Sequence, residues 1–462
     1  MKYRIEKDSL GTVKVPADAL WGAQTQRAIE NFRVSDLKAH PQFTASTVQI
    51  KKAAALVHVQ VGWLDKKTAN AIVWACDQVL KGGYLHHFVV DVYQAGAGTS
   101  HNMNVNEVIA NMATRRLGGK RKVHPNDHVN MGQSTNDVIP TTMRLAALCM
   151  TGRVLKQLDA LAVSFKHKAG EFRKIVKSGR THLQDAAPVT LGQEFGAYAS
   201  CVARHARLLR EGMKELRELG IGGSAVGTGL NTHRDYRRLM VAALSKQTGE
   251  KLMVHPDPFE AMQSMAPFAH HSGLLRNLAL DLNRIANDFR LMASGPLAGF
   301  GELLLPARQP GSSIMPGKVN PVMAECLNMV CYQVLGHDTT VAIASQAGQL
   351  ELNVMMPVIA YNLNQSLWIL DGALEGFRTR CVDGVKADVQ RCRAYAERSL
   401  SVATALNPVI GYEKAAEAVK VALKEGRTIR EVVLQRRWMT ETEYNRRVQW
   451  DRLTHPHGGF RG

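Results

Sequence analysis

The sequence predicts a mainly α-helical protein organised around five long helices. Three observations carry this. Apolar residues at 148, 155, 158, 161, 165, 172 and 176 are spaced by three, four or seven, which lines one face of a helix. Four more helix-length stretches follow, separated by Gly- and Pro-rich connections. Thr190-Leu-Gly-Gln193 sets a hydroxyl three residues before an amide, the pattern of a capping box that starts a helix.

Taken in order, residues 1–140 are mixed and mostly helical. Glycine clusters and a β-branched, strand-like stretch at Phe88–Tyr93 interrupt them. The opening Met-Lys-Tyr-Arg-Ile-Glu-Lys lacks an apolar core, so no secretory signal is expected there. From Thr141 to Lys177 the helical stripe predicts one element roughly 55 Å long. The second helix runs from Thr190 to about Leu219 and stops at Gly220. The third spans about Phe268–Ser294 before Gly295-Pro296, the fourth runs from near Pro321 to Gln346, and the fifth covers about Asn353–Val382. Together these make a central bundle domain over 141–398. Helices this long expose more apolar face than one thin bundle covers, which predicts oligomerisation. In 399–462 the pairs Thr428/Glu431 and Thr440/Glu443 are two more capping boxes, predicting a small helical C-terminal domain.

Composition narrows the function. The 462 residues are 45% hydrophobic and 21% charged, an ordinary globular balance. No apolar run reaches the length of a membrane span, so no membrane role is expected. The seven cysteines are scattered without a CxxC pair, which reads as free thiols in a reducing cytoplasm. Lys+Arg 58 against Asp+Glu 40 gives a net charge of +18. Its densest stretches, 115–122 and 436–447, are not interleaved with stacking aromatics. The charge therefore reads as an anion-attracting surface rather than a nucleic-acid footprint.

Four connections concentrate polar donors far beyond what turns need. They are Gly96–Asn104, His124–Asn130 with Gln133–Asn136, Gly179–Asp185 and Gly311–Asn320. Convergent Ser, Thr, Asn and Lys donors suit carboxylate oxygens. Two look-alikes fail. Gly96-x-Gly98 has His101 where a dinucleotide fingerprint needs glycine. Gly311 to Gly317-Lys318 is one residue too long for a P-loop, with Val319 at the Mg²⁺-binding position. His124 and His128 have helical metal spacing, but Pro125 argues against a helix across the pair, so no metal site is expected.

The four loops together resemble the fumarase/aspartase superfamily. Its signature stands here as Gly311-Ser-Ser-Ile-Met-Pro-Gly-Lys-Val-Asn320, and Ile221–Asn231, Trp21–Thr25 and Leu352–Val354 match in order as well. The resemblance covers essentially the whole chain. It implies a three-domain subunit whose five-helix bundles assemble into a twenty-helix tetramer core, with each active site shared by three subunits. It implies no cofactor, and a small dicarboxylate as the substrate. The implied reaction is elimination from a succinyl-type compound to give fumarate. By resemblance, Ser312 is the general base. Thr99, Ser134, Thr135, Lys318 and Asn320 hold the carboxylate that becomes doubly charged, and Ser100 and Ser313 also bind substrate. Thr181 and Asn136 hold the other carboxylate, His182 lies near the leaving group, and Glu325 is its acidic partner.

Within the superfamily, Ser134-Thr135-Asn136, the Gly96–Ser100 loop and His128 lean to the aspartase branch. Ala19–Thr25 and Val123-His-Pro125 look like fumarase. A purely structural relative would carry a broken constellation. Here every member of it is present.

Overall fold

The structure, a computed structural model, describes residues 2–119 and 121–455. Met1, Lys120 and 456–462, the end of the expected C-terminal domain, lie outside the described residues. The chain is mainly helical. A hairpin of β1 (Tyr3–Asp8) and β2 (Gly11–Pro16) leads into α1 (Ala23–Asn31), α2 (Pro41–Gln60), α3 (Lys66–Leu80) and α4 (Thr99–Arg116). The long helix α5 (Thr135–Glu171) is followed by a hairpin of β3 (Val176–Thr181) and β4 (Gln184–Thr190) and by α6 (Leu191–Leu216). Then come α7 (Tyr236–Thr248), α8 (Glu260–Gln263), α9 (Ala266–Met292), α10 (Val322–Ser345) and α11 (Met356–Phe377).

The residues divide into two compact units. The first comprises 1–156, 207–279 and 331–371. In it α2 opens behind His40, whose Nδ1 accepts from Gln42 N at 3.0 Å, and α3 opens behind Asp65. Val48, Ile72, Ala75, Val105, Val108 and Ile109 from α2, α3 and α4 form a core closed to water. The second unit comprises 157–206, 280–330 and 372–462. Its core is aromatic. Phe165, Phe172, Phe195, Tyr198, Phe289 and Phe377 pack with ring centroids 5.0–6.2 Å apart, mostly edge to face or tilted. Between Val402 and Val448 short helices bury Leu406, Ala418, Ile429 and Val432. Both capping boxes expected there form at Thr428 and Thr440.

Two sequence expectations need correction. The first long helix starts at Thr135, not Thr141, and ends at Glu171, not Lys177. The chain turns where Ile175 N donates to Phe172 O, and Val176 then enters a strand. Val176 is buried from within the strand, so the apolar stripe ran on across the helix end. Phe88–Tyr93 is not a strand. Asp91 makes only an isolated bridge to Lys38. Its carboxylate instead collects Ser35 N at 2.7 Å and Tyr93 N at 2.8 Å, replacing a ladder with a loop.

The long helices keep uncovered apolar surface. On α10 the solvent-facing row Tyr332, Gln333, Gly336, Thr339, Ala342 and Ile343 carries no charge. On a chain of net charge +18 an uncharged helix face is conspicuous. Trp368 on α11 is likewise exposed, as are Val163, Leu280 and Met329 on helices of the second unit. Among the described residues, no helix is long and apolar enough to cross a membrane.

Candidate functional site

In the first unit, two helix N-termini meet. Gly98 caps α4 in the left-handed region, at φ 84°, and a side chain there would meet Ile139 at 3.1 Å. Ala97 N donates to Val354 O at 2.8 Å, which fixes the loop. Thr99 then stands exposed at the start of α4, and Ser100 is buried just behind it. The second N-terminus is Ser134-Thr135-Asn136 at the start of α5. Ser134 Oγ accepts from Asn136 N at 3.2 Å, and Asn136 Nδ2 donates to Ala225 O at 2.8 Å. Asn102, in the first turn of α4, donates through Nδ2 to Thr135 Oγ1 at 3.3 Å and so ties the two starts together. The positive ends of two helix dipoles suit an anion.

Two buried charges lie beneath. Asp137 is fully buried. Its Oδ1 accepts from Ser134 N at 2.9 Å, and its Oδ2 accepts from Gly222 N at 2.9 Å and Ser224 N at 3.1 Å. This pins the 222–224 loop to the start of α5. Burial pushes the carboxyl up to about 6, against the pull of those three N–H donors. Lys51, from the inner face of α2, is also fully buried. Its Nζ donates to Asn102 Oδ1 at 2.8 Å, Asn130 Oδ1 at 2.9 Å and Gln133 Oε1 at 2.9 Å. Burial pulls its ammonium down to about 7. Sequence reasoning assigned no role to Lys51, Asn102 or Asp137. The signal for Lys51 was faint: Thr47, Lys51 and His58 share one buried face of α2.

In the second unit, Thr181 and His182 stand exposed at the tip of the β3–β4 hairpin. Thr181 pairs with Gln184, so His182 and Leu183 are the two central turn residues, at φ 55° and 58°. This two-residue turn is of a kind usually made with Asn and Gly. Below the tip, fully buried Glu302 receives Lys177 at 3.0 Å and Arg180 at 2.9 Å, and Lys177 also meets Glu194 at 3.0 Å. The network clamps β3.

The Gly311–Asn320 loop closes on itself. Gly311 N donates to Lys318 O at 2.7 Å, and Asn320 Nδ2 donates to Gly311 O at 2.9 Å. Only glycine fits there, because a Cβ would sit 2.6 Å from Lys318 O. Ser312 Oγ accepts two backbone N–H groups, from Ile314 and Met315, each at 3.1 Å. Ser313 and Lys318 are exposed. Glu325 lies in the first turn of α10. Among the described residues, no hydrogen bond or ion pair joins Glu325 to His182, or the hairpin tip to the Ser312 loop.

Other clusters are occupied structurally. Contrary to the sequence expectation, Pro125 does not prevent a helical turn between the two histidines: Pro125–Val129 form one π-helical turn behind His124, because proline is tolerated at a first helical position. His124 Nδ1 accepts from Asp127 N at 3.1 Å and His128 Nδ1 from His124 N at 2.8 Å, so both rings serve that turn. Cys201, His205 and Asp281 come within ligand distance of one another. However, Arg204 lies 2.8 Å and Arg284 3.5 Å from Asp281, and these cations fill the charge that a metal would need.

Comparison with known proteins shows the family of the chain. Residues 11–336 match a family model described as Lyase, and residues 402–455 match one described as Fumarase C C-terminus. An aspartate ammonia-lyase from a Bacillus species is 44% identical, covering 98% of each chain. A class II fumarate hydratase from Helicobacter pylori is 43% identical, covering 99% of this chain and 100% of its own. The crystal structure of a fumarate lyase:delta crystallin from Brucella melitensis bound to cobalt superposes with a TM-score of 0.94 at 46% identity, covering 98% of this chain and 100% of that one.

Proposed function

Because the chain belongs to the fumarase/aspartase superfamily of lyases, we propose that it reversibly eliminates ammonia from L-aspartate to give fumarate. The observation that carries the mechanism is the pair of N–H groups aimed at Ser312 Oγ. A serine hydroxyl is a poor base. Two fixed donors stabilise negative charge on its oxygen, which is the state that accepts a proton. Ser312 takes the proton from the carbon next to the side-chain carboxylate of aspartate. The electron pair moves into that carboxylate, which becomes a doubly charged aci-form. The pair then returns to form the double bond, and the amine leaves as ammonia or ammonium.

The added charge needs fixed donors. Thr99, Ser134 and Thr135 at two helix N-termini, with Lys318 and Asn320, supply them, flanked by Ser100 and Ser313. Thr181 and Asn136 hold the second carboxylate, and His182 faces the leaving amine. No cofactor is required by this route.

Among the described residues, no hydrogen bond or ion pair joins His182 to Glu325, and the hairpin tip and the Ser312 loop both face solvent. We therefore assign the complete site to an assembly, a homotetramer built through the uncharged face of α10 and the exposed residues of its neighbours. Neighbouring subunits then supply His182, Ser312 and Thr135 to one site. The seven scattered cysteines, without a CxxC pair, suit a reducing cytoplasm, where we place the enzyme.

A second reading, class II fumarate hydratase, is favoured by the 43% identity to the Helicobacter pylori enzyme and by Ala19–Thr25. A leaving hydroxyl needs a better-placed acid than an amine does. Offering L-aspartate and L-malate separately at matched concentrations, and following fumarate, tests the choice. Faster fumarate formation from malate selects the hydratase.

A further inference from the structure

Lys51 is an unusual group. It is fully buried, yet among the described residues its ammonium bonds to no carboxylate; its three hydrogen-bond partners there are side-chain amide oxygens, those of Asn102, Asn130 and Gln133. An ammonium has three donors and no acceptor. Each amide facing it must therefore present oxygen and turn its NH₂ away. The remaining bonds agree with that orientation. Gln133 Nε2 donates to Val129 O at 3.0 Å and Met131 O at 3.2 Å, and Asn130 Nδ2 donates to Gln133 O at 3.2 Å. Asn102 Nδ2 donates to Asn130 Oδ1 and to Thr135 Oγ1, each at 3.3 Å.

The consequence falls on Thr135. A hydroxyl that accepts from an amide keeps its own proton for another partner. If Asn102 were flipped, its oxygen would face Thr135 and take that proton, and the hydroxyl would offer a lone pair to an incoming carboxylate. The three carbonyls also favour the ammonium form of Lys51 against its burial.

We infer that Lys51 is a positioning residue for carboxylate binding, acting through Asn102 to make the Thr135 hydroxyl an obligate donor. This rests on the reading that Thr135 binds a substrate carboxylate. It adds that the hydroxyl's direction is set by a buried cation two bonds of the network away, one that never touches substrate.

The test is a coupling measurement in the assembled protein, read by calorimetric binding of succinate, a four-carbon dicarboxylate without a leaving group. Asn102→Leu and Lys51→Met are each made in the wild-type and in the Thr135→Val background, with folding of every protein checked by circular dichroism and thermal unfolding. A hydrogen bond to a charged group is worth roughly tenfold or more in binding. Asn102→Leu, and Lys51→Met where it folds, should weaken succinate binding by about tenfold in the wild-type background. In the Thr135→Val background each should change it by less than about twofold, because the relay has lost its end point. Equal losses in both backgrounds, or no loss in the wild-type background, overturn the Lys51 relay alone. A Thr135→Val protein that binds succinate as wild type does overturns the carboxylate reading of Thr135, and this inference with it.

Discussion

Replacing Asp137 with Asn should flatten the acid side of the stability profile. In the native protein one carboxylate serves three N–H donors, from Ser134, Gly222 and Ser224. An Asn can keep its oxygen toward Gly222 and Ser224, but its NH₂ then faces Ser134 N–H. That loses one bond and opposes two donors, at a cost of about 1–3 kcal/mol. Against this, the substitution removes a buried charge. The carboxyl sits at about 6 in the fold against an ordinary 3.8, which corresponds to about 3 kcal/mol of penalty once it is ionised. A group raised in the folded state favours folding below its unfolded value and loses that advantage as pH climbs through its folded value. Wild type should therefore lose stability relative to Asp137→Asn between about pH 4 and pH 6. The variant should be clearly weaker near pH 4 and close to wild type near neutrality. Chemical-denaturation midpoints of the two proteins across that window are the assay. Parallel curves would refute the claim that burial of Asp137 dominates its titration.

Other consequences follow from the same geometry. Leu183→Gly should raise thermal stability by up to about 1 kcal/mol, since a branched side chain in the left-handed region is strained there; a lower unfolding midpoint would contradict it. Ser312→Ala should cut turnover by at least about 10² while leaving the oligomer intact by light scattering, and near wild-type turnover would remove Ser312 from the base role. Mixing an inactive Thr135 variant with an inactive Lys318 variant and refolding them together should restore part of the activity through mixed sites. No recovery in verified mixed oligomers would mean that each chain builds its site alone.

Much of this architecture is legible in the sequence, because helix periodicity and capping boxes are local. Thr190 and Gln193 cap each other as their spacing implies, with Thr190 N donating to Gln193 Oε1 at 2.9 Å and Gln193 N to Thr190 Oγ1 at 3.2 Å. The boundary at Glu171 was not legible, since Val176 continues the apolar stripe from within a strand. Phe88–Tyr93 misled because β-branched residues indicate a strand only where a partner edge exists, and Asp91 draws the backbone into a loop instead. The polar loops were visible as runs of Ser, Thr and Asn. What lies beneath them was not. Lys51 reads as half of a solvated Lys-Lys pair until its three amide partners, from α4 and the 130–133 turn, are seen in space. The strain at His182 and Leu183 is equally silent, because neither residue type signals a positive φ.

The most direct test of the proposed chemistry runs it backwards. Fumarate is supplied to the assembled enzyme in buffers with and without ammonium, and the product is identified. The account predicts L-aspartate when ammonium is present and no fumarate consumption when it is absent. L-malate formed in both buffers would contradict the ammonia-lyase assignment and move the enzyme to the hydratase branch.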